Sequence, residues 1–394
     1  IWNKHKQSNT PLKRKVFVGL SGGVDSAVSA ALLKEDGCDV TGVFIRIAIP
    51  GYPCTAGADK IEAQRVAAHL RIPFIEIDLS KEYQEEVFNT TIAEFAKGHT
   101  PNPDTLCNQK IKFGAFYNFA KFRGADFIAT GHYGRIAKLT DSGYSDFSAE
   151  KSPEVASSSL GKPPPSVVLL SGIDGEKDQS YFLWMVPETV LRYTRFPVGS
   201  LQKSEVRALA KKFGLPNAAR KDSQGLCFLG SIGIEDMLER ELVLVPGEVV
   251  DEKGAVIGKH RGAIAYTLGQ RHGFELFTQT GVPHFVIAKD AQKNTITVSP
   301  SSFPKGVSKT RVKLAETNWI GAVGDGLYEA RFRYRQTLIP AELELSKHNA
   351  EVILQQPHYI PIGQSLVLYE GDPLRPSEAR RCLGGGIIEA TQLI

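Results

Sequence analysis

The stretch V-F-V-G-L-S-G-G-V-D-S-A-V, residues 16 to 28, runs a short apolar segment into two adjacent glycines flanked by hydroxyls, then into a helical pattern. Paired glycines do little for a core. They let the backbone turn sharply and bring its N–H groups close to an anion, while the helix that follows aims its positive end at the same spot. Gly19, Leu20, Ser21, Gly22, Gly23, Val24, Asp25 and Ser26 therefore read as a phosphate cradle. No Gly-Lys-Ser/Thr follows and the spacing is not G-x-G-x-x-G, so neither familiar nucleotide motif applies. The bland alternative is a tight strand-to-helix turn with Asp25 and Ser26 in its first helical turn.

Outward from this loop the pattern alternates. Residues 16–20, 39–45, 73–79 and 127–130 read as short buried strands, and helical periodicity covers 24–35, 59–70, 83–97 and 110–122. Strands alternating with helices predict a doubly wound α/β domain with a parallel sheet, whose ligands bind beyond the carboxyl ends of the strands. Residues 139–166, rich in Ser, Pro and Gly, read as a flexible insertion. From about residue 230 the pattern changes to a short helix and hairpins. After residue 306, alternating segments such as GLYEARFRYRQ and SLVLYE predict a C-terminal antiparallel β-barrel. The expected division is a catalytic domain over 1–229, a small central domain over 230–305 and the barrel over 306–394.

The chain has 394 residues, 42% hydrophobic and 23% charged, with a formal charge of +4. This is globular composition, with no run of about 18 apolar residues that would cross a membrane. Mild basicity permits a nucleic-acid partner, and the basic residues cluster. Residues 1–15 carry five Lys or Arg and no acid; residues 203–222 carry Lys203, Arg207, Lys211, Lys212, Arg220 and Lys221 against Glu205 and Asp222. Five cysteines, few and odd in number, point to a reducing compartment rather than a disulfide framework.

Two cysteines stand in polar surroundings. Cys107, in H-T-P-N-P-D-T-L-C-N-Q-K, follows Asp104 by three residues and precedes a helix expected from Lys110. A thiol near a helix N-terminus and beside Lys110 and Lys112 should ionise readily, with Asp104 placed for proton transfer. The competing reading is a small buried hydrophobe. Cys227, in R-K-D-S-Q-G-L-C-F, sits in a second polar loop. Two such cysteines beside a nucleotide loop suggest sulfur transfer, one carrying a persulfide and the other attacking it. Core packing explains either cysteine taken singly.

The loop resembles the PP-loop of ATP pyrophosphatases, which adenylate an acceptor oxygen and release pyrophosphate. The ordered set SGGVDS, TPNPDTLCN, ATGHY, KDQSYFL, DSQGLCF, YTLGQR, FRYRQ and CLGGGII, from about residue 16 to residue 389, resembles the tRNA-specific 2-thiouridylases of bacteria and mitochondria. That resemblance implies an ATP-dependent enzyme that replaces oxygen by sulfur at C2 of the wobble uridine of Lys-, Glu- and Gln-type tRNA. ATP with Mg²⁺ would sit on Gly19 to Ser26, with Ile45 and Gly131 near the adenosine. Asn102, Pro103 and Asp104 would contact the target uridine. Cys107 would be the nucleophile and Cys227 the persulfide carrier, charged by an upstream sulfur-donor protein of the cysteine desulfurase relay. His132, Lys177, Asp178, Gln179, Arg333, Tyr334 and Gln364 match tRNA-touching positions. No protein metal site is implied, and the spacing of Asp104, Cys107 and Cys227 is not a zinc pattern. Arg331, Arg333 and Arg335 are expected to alternate along one strand and share a face toward RNA, with Tyr334 on the other face.

Two departures stand out. The family's Met-Lys-Asn-Trp after the second strand is Phe-Ile-Arg-Ile here, which makes the adenine-side residue Ile45, and its Pro-Gly-Gln near the C-terminus reads Ile-Gly-Gln. The same loop also serves small-molecule synthetases, and a tRNA-binding protein with a structural nucleotide site is a further reading. The basic start and the Ser/Pro-rich insertion suggest a mitochondrial matrix protein, with a bacterial cytoplasm as the alternative.

Overall fold

The structure, a computed structural model, describes residues 13–52, 56–140, 143–146, 166–222, 228, 232–278, 281–346, 349–370 and 380–394. Its first part is built on β1 (Lys15–Gly19), α1 (Val24–Glu35), β2 (Asp39–Arg46), α2 (Ala56–Leu70), β3 (Phe74–Asp78) and β4 (Phe127–Ala129). The strands form a parallel sheet in the order β3-β2-β1-β4, and Thr194–Arg195 adds to β4. Val16 and Val18 point to one face and pack with Ala27, Val28, Ala63 and Val66 of α1 and α2. Phe17, with the opposite orientation, joins Ile45, Ile111 and Phe116 on the other face. Both faces are thus covered, which is why these strands are apolar throughout rather than alternating. The expected α/β domain is present, and β1 ends at the centre of the sheet where the SGGVDS loop begins.

Two expected helices differ in detail. The segment read as 83–97 starts at Ser80 and is wound in three pieces, Ser80–Tyr83, a wider turn over Gln84–Phe88, and Asn89–Ala96. The segment read as 110–122 starts at Pro103, with Pro103–Cys107, a wider Asn108–Ala115 and Phe116–Phe122 in succession. Asn102 caps it, its side-chain oxygen accepting from the Thr105 N–H at 3.2 Å, and Pro103 takes the first helical position, where its missing N–H costs nothing. The Asn-Pro pair read as loop is a helix start.

The central part is an antiparallel-rich sheet in the order Phe274–Leu276, Val256–His260, Gly247–Val250, Thr295–Ser299 and Phe285–Asp290, preceded by the helix Ile234–Glu241. The C-terminal part is the expected antiparallel barrel. Its strands are Thr310–Trp319, Gly326–Arg331, Ile339–Leu345, Ala350–Leu354, Ser365–Glu370 and Arg381–Leu393. Closure comes from Thr310–Trp319, which pairs with both Ala350–Leu354 and Arg381–Leu393 and so leaves no open edge there.

The barrel is tied to the first part by main-chain pairing. Arg381 and Cys382 pair with Leu170 and Leu169 of the strand Val167–Ser171, which itself pairs with Gly134–Thr140. Most of the insertion expected over 139–166 lies outside the described residues. Inside them, residues 139–140 and 143–146 belong to a hairpin rather than a loop.

The strand expected through GLYEARFRYRQ stops at Arg331. Gln336 turns its side-chain oxygen back to accept from the N–H groups of Phe332 and Arg333, and Arg335 has a left-handed backbone with φ of 61°. The three arginines therefore share no face. Arg331 is buried at 8% exposure, Arg333 donates to the Leu268 carbonyl of the central part, and Arg335 donates to the Glu176 carbonyl.

Candidate functional site

Beyond the carboxyl ends of β1 and β2 lies a cavity of about 430 Å³. Ser21, Gly23, Asp25 and Ser26 form one wall, and the loop is shaped by its own hydroxyls. Ser26 Oγ donates to the Gly23 carbonyl at 3.1 Å, while Ser21 Oγ accepts from the Gly23 N–H at 3.3 Å. Gly22 is required twice over. Its φ is +78°, and a Cβ would stand 2.6 Å from the Asp59 carbonyl oxygen. Gly131 is equally constrained, since a Cβ there would stand 2.6 Å from the Ser26 N–H nitrogen at the start of α1. A side chain at Gly131 would push into the N–H at the start of α1 that an anion would meet, and one at Gly22 into the Asp59 carbonyl of α2.

The rest of the cavity comes from distant segments. Ile45 and Gly131 line it, as do His132, Lys177, Gln179 and Tyr334. Gly19, Leu20 and Val24 join the same lining, and of the expected loop only Gly22 lies outside it.

Charge is organised around Asp25. Lys203 Nζ contacts both of its carboxylate oxygens, at 2.6 and 2.9 Å, and the Tyr133 hydroxyl donates to it at 2.9 Å. Lys203 also reaches Asp222 at 2.9 Å, where Lys177 and Arg207 converge too. Burial alone would raise the Asp222 pKa, but hydrogen bonds from Lys177 and Lys203 bring it down to about 2. Behind the loop, Asn217 Nδ2 donates to the Gly22 carbonyl at 2.8 Å, and Arg220 donates to the same carbonyl while pairing with Asp59. Lys203 and Arg220 appear in the sequence only as part of the basic stretch 203–222, and the uncharged Asn217 has no signal there. That charge run was the signal, and the clamp on the phosphate loop is its purpose.

A second set of expected residues lies apart from this lining. Asn102 caps the helix that carries Pro103, Asp104 and Cys107, and Cys107 is fully buried in the same apolar cluster as Phe95, Ile111 and Trp184. The polar setting expected for Cys107 is corrected accordingly, and the competing reading of a buried thiol holds: because the helix begins at Pro103, position 107 turns inward. Cys227 lies outside the described residues. Phe182 links the two sets, its ring 4.7 Å from that of Tyr334 and its carbonyl accepting from the Asn108 side chain at 2.9 Å. Gln364 belongs near the helix start. The buried Tyr181 hydroxyl lies 3.4 Å from its side-chain oxygen and donates to the Phe332 and Ser365 carbonyls at 3.0 Å each.

Asp178 is also corrected. Its two oxygens accept from the Gly172 and Ser180 N–H groups, the Ser180 hydroxyl and Arg331, and the residue is 5% exposed. It holds the loop; it does not present an edge to a base. Its neighbours Lys177 and Gln179 face the cavity instead, and the Gln179 side-chain oxygen accepts from the Tyr133 N–H at 3.0 Å.

Such a site suits a nucleotide whose phosphates meet the glycine loop. Among the described residues no cluster of three or more His, Cys, Asp or Glu side chains is arranged to hold a metal ion, and no helix is long and apolar enough to cross a membrane.

Comparison with known proteins agrees with this layout. Residues 14–231 match the family described as tRNA methyl transferase HUP domain, residues 235–300 its PRC-barrel domain, and residues 309–388 the aminomethyltransferase beta-barrel domain. The tRNA-specific 2-thiouridylase MnmA of Thiobacillus denitrificans is 40% identical over 388 residues, covering 96% of this chain and 100% of the relative. The protein of that name numbered 2 in Aliarcobacter butzleri is 39% identical, covering 95% and 98%, and that of Nitrosomonas eutropha is 38% identical, covering 95% and 98%.

Proposed function

The chain belongs to the tRNA-specific 2-thiouridylase family, and from that premise we propose that it is an ATP-dependent sulfurtransferase that makes 2-thiouridine in tRNA, acting at the wobble position. One observation carries the reading. The SGGVDS loop shares a single cavity with Lys177, Gln179 and Tyr334, drawn from separate segments of the first part and from the barrel. A nucleotide held there would meet an RNA base brought against the same wall.

In this reading the uridine O2 attacks the α-phosphorus of ATP. The bond to the β-phosphate oxygen breaks, pyrophosphate leaves, and a poor leaving oxygen becomes an adenylated one. Sulfur then adds at C2 and AMP departs. Cys227 carries the sulfur as a persulfide, delivered by an upstream donor protein. Either Cys107 attacks that persulfide, releasing hydrosulfide that adds at C2, or the terminal sulfur attacks C2 and Cys107 then breaks the S–S bond to Cys227. Both routes leave a Cys107–Cys227 disulfide, which an external thiol reductant must open before the next turnover. Asp104 manages the proton, and Asn102 and Pro103 flank the extruded base, since C2 is out of reach inside a stack. Arg333 and Gln364 belong to the tRNA-facing set, whereas His132, buried with both ring nitrogens engaged, serves the nucleotide cavity. Mg²⁺ would come with ATP and balance the charge of its phosphates.

The proposed division keeps the catalytic part to residue 229, the central part to 305 and the barrel beyond. Lys-, Glu- and Gln-type tRNAs are the proposed substrates. The relatives named above are bacterial, which supports a bacterial cytoplasm over the mitochondrial matrix.

Pyrophosphate release tests the reading. The purified chain with ATP and Mg²⁺ should release pyrophosphate only when unmodified tRNA is added. Release with a small-molecule acceptor instead, or none with any tRNA, contradicts it.

A further inference from the structure

Lys112 owes its position to the winding of its helix. Between Asn108 and Ala115 the turns close from residue i to i+5 rather than i+4. Each such turn takes up an extra residue, so later side chains are rotated by about 100° from the places an unbroken α-helix would give them. Gly114 shows the crowding this brings: a Cβ there would lie 2.8 Å from the Gln109 carbonyl oxygen. Phe116, which follows, packs 3.6 Å from where a Gly19 Cβ would be, at the end of β1. The helix that carries Asp104 and Cys107 thereby also delivers Lys112 to the lining of the nucleotide cavity.

There its ammonium lies 3.5 Å from His132 Nε2, and His132 Nδ1 lies 2.7 Å from the Thr130 hydroxyl. An ammonium only donates, so Nε2 must be the accepting nitrogen. Nδ1 then carries the ring proton and gives it to Thr130 Oγ1. Burial, followed by the charge of Lys112, lowers the His132 pKa well below its ordinary value, which keeps the ring in this neutral form. The arrangement aims a cation and does not discharge it.

We infer that Lys112 is a catalytic residue of the adenylation step, its ammonium meeting the α-phosphate oxygens of ATP, with the neutral His132 ring as its positioning residue. This rests on the reading under Proposed function. As the uridine oxygen bonds to the α-phosphorus and pyrophosphate departs with the bonding pair, charge spreads over the α-phosphate oxygens and the leaving oxygen. A cation held at that place stabilises that charge most when it is greatest.

The test compares the full chain with Lys112→Met, Lys112→Gln and Lys112→Arg, and with His132→Leu and His132→Gln. Three quantities are measured: tRNA-dependent pyrophosphate release in a single turnover at saturating ATP and tRNA, binding of α,β-methylene-ATP by calorimetry, and tRNA affinity by filter binding. Lys112→Met should slow release by about 10²–10³-fold while both affinities change by no more than about threefold. Lys112→Arg should recover part of the rate, and His132→Gln, which keeps an acceptor, should exceed His132→Leu. Should Lys112→Met not fold, Lys112→Gln decides by the same criteria. A variant with the wild-type rate overturns the assignment. So does one that loses tRNA affinity but turns over normally once tRNA is saturating, since Lys112 would then be an RNA-backbone contact. A wild-type chain that releases no pyrophosphate brings down the functional reading itself; an active wild type with an equally active Lys112→Met brings down this assignment alone.

Discussion

Arg331 of the barrel donates to Asp178 of the catalytic part at 2.7 Å, with both side chains nearly sealed from solvent. The guanidinium also reaches the buried Tyr369 hydroxyl at 2.7 Å, and Asp178 in turn holds Gly172 and Ser180. This single pair therefore fixes the loop that presents Lys177 and Gln179 to the nucleotide cavity. Removing one partner strands a buried charge, which costs about 3–5 kcal/mol. Asp178→Ala should lower the unfolding free energy by about that amount in urea denaturation. A change below 1 kcal/mol on the order-of-magnitude scale of surface pairs would show that the contact is not structural.

Gly22 offers a cleaner probe of the phosphate loop. Gly22→Ala places a methyl against the Asp59 carbonyl and forces a left-handed backbone that alanine resists by about 1–2 kcal/mol. ATP binding should weaken by about tenfold or more while far-ultraviolet circular dichroism stays unchanged. Unaltered affinity would mean that the loop does not approach the phosphates.

Asp222 gives the site a pH signature. Its folded pKa of about 2 lies below its ordinary value of 3.8, so its contribution to stability is complete above the ordinary value and disappears as pH falls through about 2. Asp222→Asn should accordingly be less stable than wild type at pH 6, and the gap should narrow as the pH is lowered from about 4 toward 2. Urea midpoints at several pH values measure it; a gap that widens on acidification contradicts the pairing with Lys177 and Lys203.

Much of this was legible in the sequence, and the remainder was hidden for identifiable reasons. Adjacent glycines between a strand and a helix announce the phosphate loop because backbone conformation is local. The period-two and helical patterns give the α/β part and the barrel for the same reason. Arg331 reads as an RNA-facing arginine in the sequence because its partner stands 153 residues away. The Lys203–Asp25 contact spans 178 residues and is equally invisible to local pattern. Cys107 was placed in a loop because Asn-Pro also begins turns; only the cap formed by Asn102 shows that a helix starts there and turns the thiol inward. The wide turn over Asn108–Ala115 has no side-chain signature, so the delivery of Lys112 to the cavity could not be read beforehand.

Burial of Cys107 carries a consequence for its chemistry. Iodoacetamide should label it far more slowly than the partly exposed Cys38 in the resting protein, and denaturation should abolish the difference. Peptide mapping by mass spectrometry reads both sites. Equal labelling in the resting state would mean that Cys107 opens to solvent without tRNA.

The most direct test is the product itself. Purified protein, ATP, Mg²⁺, a persulfide donor (a cysteine desulfurase with cysteine), a thiol reductant and unmodified tRNA-Lys are incubated, and nucleosides are read by mass spectrometry, with Asp104→Ala, Cys107→Ser and Cys227→Ser alongside. The account predicts 2-thiouridine at the wobble position in the wild type and its loss in all three variants. Pyrophosphate release without thiouridine would contradict it, leaving an adenylating loop whose acceptor is something other than this uridine.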